Sequence, residues 1–138
     1  MRIKDVMTTN VSFVGPDTPL VEVARRMRDE DIGSLPVVEN DGLIGMVTDR
    51  DIVVRTIADE GDVRSTTART AMSPQILYCY EDQTVKETLD NMGDIQVRRL
   101  PVVNRQKRLV GLVSLGDLSR ADQRRAGDAL KEISEPTR

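Results

Sequence analysis

The chain is written twice. Shifting the sequence by 65 residues lays Met7 on Met72, Asp17 on Asp82, Glu22 on Glu87, Met27 on Met92 and Asp29 on Asp94. The same shift superposes Leu35-Pro36-Val37-Val38 on Leu100-Pro101-Val102-Val103 without a mismatch. That makes nine identities in the 34 positions from 7 to 40, with Val11/Ile76, Phe13/Tyr78, Leu20/Val85 and Ile32/Val97 as conservative pairs. One extra residue in the second copy then moves the offset to 66, and Leu43, Gly45, Val47 and Asp51 fall on Leu109, Gly111, Val113 and Asp117, with Thr48 on Ser114. The offset changes once, at a turn-like segment (residues 39–42 against 104–108), as duplication followed by a loop insertion requires. An internal period of this length restricts the chain to architectures that pack one supersecondary unit against its copy.

Each copy spells the same order of elements. Residues 11–14 form a short β-rich run closed by Gly15-Pro16, and Asp17-Thr18-Pro19 predicts a helix start. Leu20, Val23, Ala24 and Met27 follow at helical spacing and are expected to face a core. Residues 34–38 and 43–48 read as strands joined by a hairpin turn at Asn40-Asp41-Gly42. A helix from about Thr48 is expected to carry Ile52, Val53 and Ile57 inward. The second copy repeats this with strands at 76–80, 99–103 and 108–114, a helix over 85–92 and another from Leu115. The expected domains are therefore one repeat over 1–58, a polar connector over 59–67, a second repeat over 68–122 and a helical tail over 123–138. In the tail, Ala126, Ala129, Leu130 and Ile133 share one face. A β-α-β-β-α unit of some 60 residues buries too little surface for comfortable stability alone. The predicted fold is thus α/β (α+β), with two repeats packed sheet to sheet about a pseudo-twofold axis and two related clefts between them.

Composition removes several function classes. The chain has no histidine, so a Ser-His-Asp or Cys-His catalytic set and histidine-bearing zinc sites are excluded. The single cysteine, Cys79, builds neither an intramolecular disulfide nor a Cys-rich metal site. Twenty basic against 23 acidic residues leave a net charge of -3, and the aromatics are Phe13, Tyr78 and Tyr80. Neither figure fits a nucleic-acid binder. No apolar run approaches a membrane span and the N-terminus carries none, so a cytoplasmic protein is expected. No catalytic residue and no metal ligand is assigned, and an enzyme is not expected.

The repeated motifs resemble a tandem pair of CBS domains, the small repeats named after cystathionine β-synthase, also called a Bateman module. The residues that carry the resemblance are Asp5-Val6-Met7-Thr8, Leu35-Pro36-Val37-Val38, residues 45–52 and their second-copy partners. It covers roughly residues 3–120, which is similar to the stand-alone prokaryotic kind. The resemblance implies adenosine-containing ligands such as AMP, ADP, ATP, NAD or S-adenosylmethionine in the clefts. It also implies a homodimer of CBS pairs and an effector protein outside this chain.

In the Gly-x-x-Thr/Ser-x-x-Asp pattern a strand ends at the hydroxyl residue and a helix begins. Asp51 or Asp117, one turn in, would accept hydrogen bonds from ribose hydroxyls. Thr48 or Ser114 and the first amides of the helix would meet a phosphate. Adenine would lie against an apolar edge near Val11 and Val37, or Ile76 and Val102. Gly45 and Gly111 leave room for close backbone approach. The same Thr48-to-Asp51 and Ser114-to-Asp117 spacing is also a helix capping box, which needs no ligand. The copies differ in their arginines: Arg50 stands opposite Gly116, and Arg98 and Arg99 stand opposite Gly33 and Ser34. Because guanidinium suits phosphate, Arg50, Arg98 and Arg99 are candidates to meet a ligand phosphate, the alternative for each being a surface ion pair with nearby acids; one cleft is expected to prefer a phosphorylated ligand and the other to bind weakly or not at all. The function expected is a regulatory module sensing adenosine-containing nucleotides. The alternative is a structural dimerisation or protein-interaction module with no physiological nucleotide.

Overall fold

Local sequence signals build each hairpin. The computed structural model describes residues 1–73, 77–95 and 97–136, and the side chains of Ile95 and Arg125 are not described. The chain divides into two compact units, Ser12–Ile76 and a second made of Met1–Val11 with Leu77–Arg138.

In the unit of Ser12–Ile76, helix α1 (Leu20–Glu30) starts after Pro19 and buries Leu20, Val23 and Met27. Ala24, expected in the core, is exposed, because the stripe formed by Leu20, Val23 and Met27 already covers the face that meets the sheet. Asp31 ends α1 in the left-handed conformation at φ 53°, which a short polar side chain tolerates better than most. Strands β1 (Ser34–Glu39) and β2 (Gly42–Thr48) pair antiparallel, Glu39 opposite Gly42. Between them Asn40 and Asp41 both have positive φ, 51° and 66°, the two-residue turn whose twist matches a hairpin. Of residues 11–14, Val14 alone joins the sheet, bridging Val37 in parallel. The core holds Val14, Leu20, Val23, Leu35, Val37, Val47, Ile52, Ala68 and Ala71.

Helix α2 (Asp49–Ile52) continues as a wider π-helical turn through Val53–Ile57. Ile52 and Thr56 are buried, but Val53 and Ile57 are 54% and 58% exposed. The inward direction expected for those two side chains is therefore corrected. Helical spacing implies a regular α-helix, and the wider turn changes which residues share a face. The stretch read as a connector is tied to its own unit: Val21 N–H donates to Val63 O and Leu20 N–H to Thr66 O, each at 2.9 Å. It leads into α3 (Ala68–Ala71), whose two alanines are buried.

In the second unit β3 (Cys79–Tyr80) runs parallel to β4 (Arg99–Val103), which pairs antiparallel with β5 (Leu109–Ser114). The extra residue of this copy lies in the β4–β5 turn, where Asn104 Oδ1 accepts from the amides of Gln106 and Arg108, both at 3.0 Å. Helix α4 (Val85–Ile95) packs Val85, Leu89 and Met92 onto the sheet. Helix α5 (Leu115–Ser119) follows β5, and α6 (Gln123–Ile133) lies against α4 and α5. On α6, Ala126 and Ala129 are buried, whereas Leu130 is 42% exposed. The architecture is α+β with two small sheets.

The segment that leads into each repeat belongs to the unit of the other repeat. Residues 1–11 join the second unit: Thr8 and Leu112 exchange two backbone hydrogen bonds of 2.9 Å. Residues 68–73 join the first, where Ser73 N–H donates to Met46 O at 3.0 Å. A Cβ on Gly111 would stand 2.6 Å from Met7 Sδ, and one on Gly45 would stand 2.8 Å from Met72 Sδ. The two glycines make room for these methionines.

Candidate functional site

The repeated Thr/Ser-x-x-Asp motif folds twice into the same local structure. Thr48 closes β2 in an extended conformation, and its Oγ1 accepts from Asp51 N–H at 3.0 Å while Asp51 Oδ2 accepts from Thr48 N–H at 2.9 Å. Ser114 and Asp117 repeat this at 3.1 and 3.0 Å. Each aspartate therefore uses one carboxylate oxygen to cap its own helix. Both remain half-buried, with the helix starts at the surface.

The two helix starts differ in what surrounds them. In the first unit Asp49 N–H donates to Gly33 O at 3.0 Å, and Arg50 N–H donates to Asp49 Oδ1 at 2.8 Å. With Asp51 N–H on Thr48, the first three amides all have partners, one of them a carboxylate. Asp51 Oδ1 also lies 3.6 Å from Arg55 Nε, a pair one helical turn apart that the sequence reading missed although its spacing is the ordinary one for such pairs. Arg50 is exposed.

In the second unit Leu115 N–H donates to Arg98 O at 2.8 Å, and Ala121 occupies the place of Arg55. Leu115 stands where the first copy has Asp49, so no carboxylate caps the Gly116 amide from that position. Arg98, Arg99, Ser114, Leu115 and Gly116 line an open depression of about 620 Å³, bounded on its other side by Gln123, Ala126, Gly127 and Leu130 of α6. Among the described residues no acidic side chain lines it, so Asp117 is not part of its wall. The structure thus brings together three of the predicted residues, Arg98, Arg99 and Ser114, and adds a wall from α6 that the repeat pattern could not indicate, since the first copy has no counterpart.

The expected adenine-facing residues fare differently. Val37 and Val102 are 0% exposed. Each sits in a strand flanked on both sides, Val37 by Val14 and Gly45 and Val102 by Cys79 and Gly111. Their side chains are packed in the cores of the two units. Val11 is half-buried, and Ile76 lies outside the described residues. Gly45 and Gly111 admit methionine side chains, as described above, and are themselves buried.

Cys79 is buried at 1% exposure, and burial pushes its thiol up to about 12. It is a core residue. At the far end of β3, Tyr78 and Tyr80 meet edge to face at 5.6 Å, with Arg105 4.1 Å above the Tyr80 ring and Lys107 5.1 Å from that of Tyr78. Arg105 also grips Asp82 through two bonds of 2.9 and 2.7 Å. Among the described residues no group of three or more Cys, Asp or Glu is placed to hold a metal ion, and no helix is long and apolar enough to cross a membrane.

Known proteins are similar to this chain over most of its length. An uncharacterised protein of Bacillus subtilis, YlbB, is 42% identical over 138 residues, spanning 97% of this chain and 92% of its own. The crystal structure of Hypoxic Response Protein I with two coordinated zinc ions superposes with a TM-score of 0.79 at 38% identity, covering 87% of this chain and 98% of that one. This chain has no histidine with which to bind zinc in a histidine-bearing site. The CBS domain pair of MJ0100, solved in complex with 5'-methylthioadenosine and S-adenosyl-L-methionine, gives a TM-score of 0.74 at 25% identity, covering 88% of this chain and 98% of that one. A family model for the CBS domain matches residues 3–56 and again 68–124, both copies of the repeat, and the chain belongs to the CBS-domain family.

Proposed function

We propose that this chain is a regulatory module that binds adenosine-containing ligands, and that its two repeats take different ones. Asp51 and Asp117 would accept the ribose hydroxyls through the oxygen not used in the cap. The second repeat would take a phosphorylated ligand such as AMP, ADP or ATP, with Arg98, Arg99 and Ser114 at the phosphate. The first repeat would take one without phosphate, of the S-adenosylmethionine or methylthioadenosine kind; the Asp49 carboxylate already holds the Arg50 amide there and repels a second anion. The observation that carries the reading is this difference between two otherwise superposable helix starts. The related MJ0100 pair supports adenosine-containing ligands in general, since both ligands in that complex are adenosine derivatives and neither carries a phosphate.

The test is calorimetry on the whole chain with AMP, ADP, ATP, NAD and S-adenosylmethionine, repeated on Asp51→Ala and Asp117→Ala. Phosphorylated ligands should lose at least tenfold in affinity with Asp117→Ala and little with Asp51→Ala. Equal losses in both variants would remove the assignment.

A second reading is an interaction module without a physiological nucleotide, paired with a second copy or an effector protein. It is favoured by the exposed apolar side chains Val53, Val54 and Ile57 and by capping boxes complete without a ligand. A saturating ligand at 100 times its Kd adds about 2.7 kcal/mol of stability, so a thermal-shift panel with no response would favour this second reading.

A further inference from the structure

Two methionines occupy the same niche in the two units. In one, Met7 lies over Gly111, where a Cβ would stand 2.6 Å from Met7 Sδ and 3.0 Å from its Cγ. In the other, Met72 lies over Gly45, with Sδ 2.8 Å and Cγ 3.3 Å from the corresponding point. Both glycines are buried, and both methionines are half-buried and packed against the core of their unit. The other two methionines at repeat-equivalent positions, Met27 and Met92, are 6% and 0% exposed. Methionine and glycine are the same in both copies, although the residues flanking the methionine differ, Val6 and Thr8 in one and Ala71 and Ser73 in the other.

Each sulfur sits beside the backbone bonds that hold its segment to a strand. Next to Met7, Thr8 N–H donates to Leu112 O and Leu112 N–H donates to Thr8 O, both at 2.9 Å. Next to Met72, Ser73 N–H donates to Met46 O at 3.0 Å. The amides of the methionines are also engaged, Met7 N–H on Ile3 O at 2.9 Å and Met72 N–H on Ala68 O at 2.8 Å. A thioether packs here as an apolar group and needs no hydrogen bond. A sulfoxide adds a polar oxygen that calls for a donor, and these neighbouring amides are in use. On the glycine side the sulfur is already closer than a methyl group would permit, which leaves no space for an added oxygen. That oxygen must take a bonded amide or turn the side chain out to water, and either course gives up the contact with the strand.

We infer that Met7 and Met72 are a matched pair of sulfoxidation sites, and that their oxidation by a peroxide releases residues 6–8 from β5 and residues 71–73 from β2. The Sδ lone pair attacks one peroxide oxygen and the O–O bond breaks. With hydrogen peroxide, the proton of the transferred oxygen goes to the departing hydroxide, so sulfoxide and water are formed. Sulfur is oxidised and the peroxide reduced by the same electron pair. The inference is independent of which nucleotide, if any, the repeats bind.

The experiment treats the full chain with hydrogen peroxide and maps oxidation over time by peptide mass spectrometry. Met7 and Met72 should gain oxygen at least tenfold faster than Met27 and Met92. Hydrogen exchange in the oxidised chain should then quicken at least tenfold at the amides of Thr8, Leu112 and Ser73. Methionine sulfoxide reductases A and B together should restore the original rates. Met1, 72% exposed, and Met46, half-buried, are internal controls. In Met7→Leu/Met72→Leu they still oxidise, and the three amides should keep their exchange rates. Oxidation of Met7 and Met72 no faster than that of Met27 and Met92 overturns the inference. Full oxidation at both positions with exchange unchanged overturns it too, as does an equal quickening in the double variant. The reductase step needs no variant, so the test holds even where the double substitution disturbs folding.

Discussion

Gly111→Ala and Gly45→Ala make the same chemical change at equivalent places in the two repeats, and the structure predicts unequal costs. Neither glycine has a positive φ, so backbone strain does not enter. At Gly45 the three atoms nearest the new methyl all belong to the Met72 side chain, at 2.8, 3.3 and 3.4 Å. That side chain is flexible and can swing aside. At Gly111 the methyl meets Met7 Sδ at 2.6 Å and also the carbonyl oxygen of Thr8 at 2.9 Å. That carbonyl is held by Leu112 N–H at 2.9 Å, and Thr8 N–H returns a second bond of the same length. The backbone can move only by giving up those bonds. Overpacking costs about 1–3 kcal/mol, and each lost bond adds about 1 kcal/mol. Restriction of the unfolded chain returns about 0.4–1 kcal/mol. The net loss should be about 3 kcal/mol for Gly111→Ala and about 1 kcal/mol for Gly45→Ala. For a chain of this length each kcal/mol moves the Tm by roughly 3–4 °C, so losses of about 10 °C and about 3 °C are expected. The assay is thermal unfolding of both variants, alone and combined with Met7→Ala or Met72→Ala. Met72→Ala should remove nearly all the penalty of Gly45→Ala, whereas Met7→Ala should relieve only part of that of Gly111→Ala. Equal losses at the two glycines, or complete relief by Met7→Ala, would refute the packing argument.

Three further outcomes follow from individual groups. Asp49→Ala frees the Arg50 amide and removes a negative charge from the first helix start, so this variant should gain a second AMP site, read as a change in calorimetric stoichiometry from one to two. Thr56 is 1% exposed and its Oγ1 has no hydrogen-bond partner; Thr56→Val keeps the shape, removes the unsatisfied hydroxyl and should raise stability by about 1 kcal/mol in urea unfolding. For Cys79, the folded thiol titrates at about 12, above the ~8.5 of an unfolded cysteine. Its contribution is present in full below about pH 8.5 and is lost as pH climbs towards 12. Cys79→Val should therefore lose less stability than wild type between pH 7 and 10, by about 2 kcal/mol, and native Cys79 should resist a thiol reagent at pH 8 until denaturant is added.

What could be read in advance was local. The Asn40-Asp41 turn, the pairing of β1 with β2 and the two capping boxes depend on residues two to four apart or on strict alternation. The backbone geometry of such short spans is set by their own side chains. The unequal arginines of the two copies were equally visible, and three of the predicted residues line one depression. The directions of Val53, Ile57 and Ala24 were not legible, since helical spacing identifies a stripe and leaves its width and pitch to the surface it meets. Apolar character marks Val37 and Val102 as buried or ligand-facing alike, and only what packs on the faces of their sheets places their side chains in the cores.

The sequence by itself determined that this protein is a duplication, because repeated residues at a constant offset survive in the linear order whatever the fold does with them. It also determined where β2 and β5 end and how the helices that follow them are capped. The tertiary structure alone decided that Met7 fills the space over Gly111 and Met72 the space over Gly45, contacts spanning 104 and 27 positions of the chain. It alone made α6 a wall of the depression beside Arg98 and Arg99. Such contacts depend on which surfaces meet after the chain has closed on itself, and no local period or spacing encodes that meeting.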